Sequence, residues 1–154
     1  MRYIKRPAVL TALMLFWLGL SVGLAAAAEE VTDDKPFAEH HVVLQISDAD
    51  PDKQTLVLNV ANNLLKYYGP DLIALEIVAF GPGLRLLLAD NANLERIDGL
   101  AADGVRFSAC ENTIQAFTKA LGKAPVLNPH AIPVTAGVVR IIDLVGKGYV
   151  LIKP

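Results

Sequence analysis

The chain has a single cysteine, Cys110, which excludes an intramolecular disulfide. Both methionines and the only tryptophan lie within the first 28 residues, so the rest of the chain has neither. A cationic surplus is missing as well: the formal net charge over all 154 residues is −2. Nothing basic is left to track a phosphate backbone, so no nucleic-acid partner is expected. After residue 28 there is no G-x-S-x-G pattern, and Ser47 and Ser108 stand without a serine-hydrolase signature. Gly81-Pro82-Gly83 fits neither G-x-G-x-x-G nor G-x-x-x-x-G-K-[ST], and no lysine follows it. It reads as a tight turn rather than a phosphate loop.

The first 28 residues explain much of the 53% hydrophobic content. Arg2, Lys5 and Arg6 precede an almost unbroken apolar run from Ala8 to Leu24, with no acidic residue before Glu29. The run ends in Ala25-Ala26-Ala27-Ala28, an A-x-A type site. Together these read as a secretory signal peptide, residues 1–28, cut after Ala28. The expected location is periplasmic or secreted, with no membrane association after cleavage. The alternative is a domain tethered through an uncleaved signal, since a run of about 20 apolar residues is long enough to span a bilayer. A lipid anchor is excluded, because it needs a cysteine at the cleavage site and the only one is Cys110. Removing 28 of 154 residues leaves 126, one domain's worth. Without Arg2, Lys5 and Arg6, 11 Lys and Arg face 16 Asp and Glu, a net charge of −5.

Residues 29–40 read as a short polar leader, and 41–154 as the domain. His41–Ser47 is a β-rich run. Asp50 is placed to cap a helix with Pro51 at its first position. Val57, Val60, Ala61, Leu64, Leu65 and Tyr68 then fall on one helical face, and Gly69-Pro70 stops it. Ile73–Phe80 is nearly continuous in apolar residues, as a strand covered on both faces should be, with Glu76 the interruption. A buried carboxylate is costly without a partner, so Glu76 is expected at an edge or a subunit contact with a salt-bridge partner. Leu84–Leu88 is a short apolar piece, and Ala92–Ala102 reads as a helix. Val105–Ala109 reads as a strand running straight into Cys110. Glu111–Leu121 reads as a helix with Ile114, Phe117 and Leu121 on one side. A loop over 123–130 leads to a short strand at Ala131–Val134. Thr135 is expected to cap a helix whose buried stripe is Val138, Val139, Ile141, Ile142 and Val145. Tyr149–Ile152 is the last strand. The alternation predicts an α/β domain with a mainly parallel sheet of about five strands and helices on both faces.

Ligands of such sheets bind beyond the carboxyl ends of the strands. Ser47–Asp50, Gly81–Gly83, Cys110–Thr113 and Thr135–Gly137 fall there, and Cys110 is the nucleophile among them. At the start of a helix, unsatisfied N–H groups and the positive end of the dipole favour thiolate over thiol. Asn112 and Thr113 supply such N–H groups, and Asn112 is a candidate cap. Gly81, Gly83 and Asp48 complete the candidate support. His40 and His41 are adjacent at a strand start and point to opposite faces. His130 reaches Cys110 only if its loop folds over the crevice, as a nucleophile–base pair or half of a soft-metal or haem-type site. Neither a metal nor a cofactor is expected.

From Val105-Arg106-Phe107-Ser108-Ala109-Cys110-Glu111-Asn112-Thr113 the sequence resembles the DsrE/DsrF-like family. The first strand and its helix, the turn Phe80-Gly81-Pro82-Gly83-Leu84, and the runs Ala136–Leu144 and Gly148–Pro154 support the resemblance over His41–Pro154. It implies a three-layer α/β/α Rossmann-like domain that assembles as a dimer, trimer or hexamer. It also implies a cysteine, matched by Cys110, that carries a persulfide and passes it on. The expected function is an exported sulfur-handling protein, a sulfurtransferase or persulfide carrier, whose partners are donor and acceptor thiols or proteins. The alternative is a non-catalytic oligomeric binding or assembly module in which Cys110 is structural.

Overall fold

A computed structural model describes residues 35–154; the proposed signal peptide and the first half of the leader, 29–34, lie outside the described residues. Five strands form one parallel sheet: β1 (His40–Ile46), β2 (Ile73–Ala79), β3 (Arg106–Cys110), β4 (Ala131–Val134) and β5 (Val150–Ile152), in the order β4-β3-β2-β1-β5. Four helices connect them: α1 (Pro51–Tyr68), α2 (Leu94–Ala102), α3 (Glu111–Leu121) and α4 (Gly137–Gly146). A 3₁₀ turn at Gly81–Leu87 precedes α2. This is the expected three-layer α/β/α, Rossmann-like arrangement.

Local signals position the elements. Asp50 caps α1, its carboxylate accepting from the Asp52 N–H at 2.9 Å, with Pro51 in the first turn. Gly69, with φ of 86°, closes the helix through its N–H to the Leu65 carbonyl. All seven residues of β2 are buried, because it is the central strand and both of its faces are covered.

The chain steps from β1 to β4 in one direction, then returns to place β5 on the far side of β1. Parallel crossovers keep one hand, so reversing direction moves the crossover helix to the other face. Accordingly, α1, the 3₁₀ turn, α2 and α3 pack with Val42, Leu44, Ile46, Ile77 and Phe107 on one face. On the other, Ile141 and Leu144 of α4 pack with Val43 and Val78, with Phe80 and Tyr149 alongside. His40 and His41 go to opposite faces, His40 against Tyr68 of α1 and His41 against Tyr149.

Four expectations are corrected. Glu76 sits in the central strand, not at an edge, and its burial is met by internal partners. Leu121 at the end of α3 is exposed. In α4 the buried positions are Gly137, Ile141 and Leu144, whereas Val138, Val139, Ile142 and Val145 are exposed. Thr135 does not cap this helix, whose N-cap residue is Ala136. A helix apolar on nearly all sides has no face fixed by hydrophobicity, and a shift of one residue turns it by about 100°.

Candidate functional site

Cys110 ends β3 and is the N-cap residue of α3, in extended conformation at φ −67° and ψ 116°. It is 5% exposed. Its side chain makes no capping hydrogen bond to α3, and Asn112, the second residue of the helix, does not cap it either. The donors near the sulfur act on its charge state instead. Burial pushes the thiol up, but the Thr113 hydroxyl and the N–H groups of Gly137, Thr113 and Asn112 outweigh it. The Cys110 pKa therefore lies below its ordinary value.

These donors come from two helix starts. Asn112 and Thr113 lie in the first turn of α3, and Gly137 is the first residue of α4. N–H groups there have no partner within their helix, so both turns offer donors to an anion. Thr113 is buried, and its Oγ1 accepts from the Gly81 N–H at 2.8 Å. With one lone pair engaged, the hydroxyl still has its proton to give to a thiolate. Gly81 thus supports the site through Thr113.

Close backbone approach explains two glycines. A Cβ on Gly83 would stand 2.3 Å from the Ile46 carbonyl oxygen. The turn after β2 is therefore pressed against the end of β1, where only glycine fits. A Cβ on Gly137 would lie 3.0 Å from Phe80 Cβ and 3.3 Å from Cys110 Cβ, so the head of α4 comes close to the cysteine.

Below Cys110, on the same side of β3, is a buried polar cluster absent from the expected site. Ser108 precedes Cys110 by two residues, and side chains two apart in a strand share a face. Its hydroxyl donates to Glu76 Oε1 at 2.5 Å. Arg140 on α4 makes a two-pronged pair with the same carboxylate, Nε to Oε1 at 2.8 Å and Nη2 to Oε2 at 2.6 Å. Arg106 Nε lies 3.7 Å from Glu76 Oε2. The hydrogen bond to Glu76 raises the Arg140 pKa further above its ordinary value. Two sequence oddities thus answer each other: an acid in an apolar strand and a base in an apolar helix.

The other expected residues are spread out. Asp48, at the end of β1, is exposed and accepts from the Asp50 N–H at 3.0 Å within its own turn. His130 is not brought to Cys110: its Nε2 lies 3.0 Å from Asp98 Oδ1 on α2. It precedes β4, whereas Cys110 aligns with Val134 at that strand's far end, so the two lie at opposite ends of the sheet. Among the described residues, no group of three or more His, Cys, Asp or Glu is placed to hold a metal ion.

No protein-family model matches the chain. No curated protein matches it either. Among solved structures, it is similar to a protein of unknown function, MTH1491, from Methanobacterium thermoautotrophicum. That likeness has a TM-score of 0.67 at 27% identity and covers 75% of this chain and 100% of the other. It extends over most of the α/β domain and, the other protein being of unknown function, assigns no activity.

Proposed function

We propose that the domain is an exported, DsrE/DsrF-like sulfur carrier whose working group is Cys110. The observation that supports this reading is the cysteine between the heads of α3 and α4, with donors from both that favour its thiolate. A thiolate is the nucleophilic form of the residue. In the loading step, Cys110–S⁻ attacks the terminal sulfur of a persulfide R–S–SH. The new S–S bond forms as the old one breaks, giving Cys110–S–SH and R–S⁻. In unloading, an acceptor thiolate attacks the outer sulfur of Cys110–S–SH, takes it as its own persulfide, and regenerates Cys110–S⁻. Sulfane sulfur moves at constant oxidation level, so no external oxidant enters either step. Asn112, Thr113 and Gly137 offer N–H groups to the anionic sulfur, and Gly81 orients the Thr113 hydroxyl.

Intact mass of the purified protein, before and after incubation with polysulfide, tests the proposal. The expected result is a reductant-sensitive gain of one sulfur atom, about 32 Da, that is absent in Cys110→Ser. The low exposure of Cys110 favours a second reading, a non-catalytic module in which the cysteine is a packing residue. No adduct on a folded protein, with the thiol also closed to alkylation until unfolding, would replace the first reading with the second. Self-association belongs to both readings. Val138, Ile142 and Val145, spaced i, i+4 and i+7, put an exposed apolar stripe on α4 for a second copy to cover.

A further inference from the structure

The geometry points to Glu76 and Arg140 as positioning residues that dock α4 so that its first N–H, on Gly137, faces the Cys110 sulfur. This deepens the proposed function and rests on its reading of Cys110 as a working thiolate.

Gly137, Arg140, Ile141 and Leu144 follow i, i+3, i+4 and i+7 spacing and so form one stripe of α4. Ile141 and Leu144 hold this stripe to the sheet by apolar contact, which fixes neither rotation nor sliding sharply. The fork of Arg140 on a carboxylate is directional in both respects. Glu76, only 2% exposed in the central strand, is a fixed anchor for it. Ser108 holds the same carboxylate from β3. One helical turn before Arg140, Gly137 approaches Phe80 and Cys110 so closely that an added Cβ would crowd both. The pair therefore sets the distance from the Gly137 N–H to the sulfur. Charged groups on the surrounding elements are Glu111 and, in the last turn, Lys119 on α3, Glu76 on β2, Arg106 on β3, and Arg140 and Asp143 on α4.

Glu76→Gln separates positioning from simple charge, because the two predict opposite signs. Removing a nearby negative charge would by itself favour the Cys110 thiolate. Loosening α4 would disfavour it. The experiment is a pH titration of ultraviolet thiolate absorbance on the purified protein, as a difference against Cys110→Ser. It needs no access to the sulfur. Glu76→Gln is expected to raise the midpoint and lower the thiolate fraction below it by roughly three- to tenfold, a full pKa unit being tenfold. Arg140→Lys keeps the charge but loses the fork, and is expected to move the midpoint the same way by less. If Glu76→Gln fails to fold, as circular dichroism reports, Arg140→Lys carries the test alone. A midpoint that stays or falls in a folded variant overturns the positioning role. Polysulfide loading of the unsubstituted protein is read separately. A protein that takes no sulfur, yet shows the upward shift in Glu76→Gln, retains the positioning role and loses the carrier function. One that loads sulfur but shows no shift loses the positioning role alone.

Discussion

The two faces of the sheet differ in kind. Three helices and a 3₁₀ turn cover one face, with Leu44, Leu58, Ile77, Leu84 and Phe107 fully buried in a continuous apolar core. A single helix covers the other, and a carboxylate, an arginine, a serine and a cysteine share the space beneath it with a few aliphatic side chains. Strand β3 carries both faces in alternation: Phe107 and Ala109 enter the large core, while Ser108 and Cys110 turn to the α4 side. The comparison separates what holds the domain together from what can react. Apolar burial is non-directional and tolerant of detail. The α4 side depends on directional contacts, and there a small displacement changes the chemistry before it changes the fold.

Truncation on the apolar face should show the largest stability effect. Phe107→Ala removes a fully buried ring, with an expected loss of about 3–5 kcal/mol. Chemical denaturation checks it. A loss below about 1 kcal/mol would mean that this face is not the main source of stability.

A smaller effect on stability and a larger one on chemistry are expected from Thr113→Val. The change keeps the shape but removes the acceptor of the Gly81 N–H and a donor near Cys110. Leaving a buried N–H unsatisfied costs about 1–3 kcal/mol, and the part-buried Gly81 N–H should fall at or below the lower end of that range. The pH dependence adds a signature. Folding lowers the Cys110 pKa, so between the folded and unfolded values the unfolded chain holds a proton that the folded chain has released. Stability therefore rises with pH across that window, and this contribution is lost as pH falls through the folded value. Thr113→Val should raise the folded value, narrow the window and flatten the slope. Denaturation at several pH values checks this, and an unchanged slope would remove Thr113 from the set of groups favouring thiolate.

What the sequence revealed follows the same division. Caps and turns are local, so Asp50, Pro51, Gly69 and the junction at Cys110 were legible one at a time. The helical signal over Glu111–Leu121 has the bounds of α3. Strand order was not legible, because pairing joins residues far apart in the chain. The partner of Glu76 was hidden for that reason: Arg140 lies 64 residues away. The signal was nonetheless present, a lone acid in an apolar strand and a lone base on a helix that carries apolar residues all round. Reading the two oddities as a pair, rather than Glu76 alone as an edge residue, would have found the cluster. It would also have turned α4 the right way, since the face with Arg140 must then meet the sheet.

That rotation leads to the smallest expected change in the stability of the fold. Ile142 is 63% exposed, so within one chain its side chain gives little to the core. Ile142→Asp should shift the stability of a single domain by no more than about 0.5 kcal/mol, as surface substitutions do. Under the proposal of self-association, the same change puts a charge into the contact between copies, where desolvation opposes it. Light scattering should then give a multiple of the chain mass for the unsubstituted protein and a lower mass for the variant. A protein that is monomeric from the start would leave the stripe without a role in assembly. A variant that keeps both its mass and its stability would move the contact elsewhere. Because stability of an associating protein depends on its concentration, the two measurements must be made at matched concentration. Only a fall in mass without loss of the folded domain assigns this surface to assembly rather than to the fold.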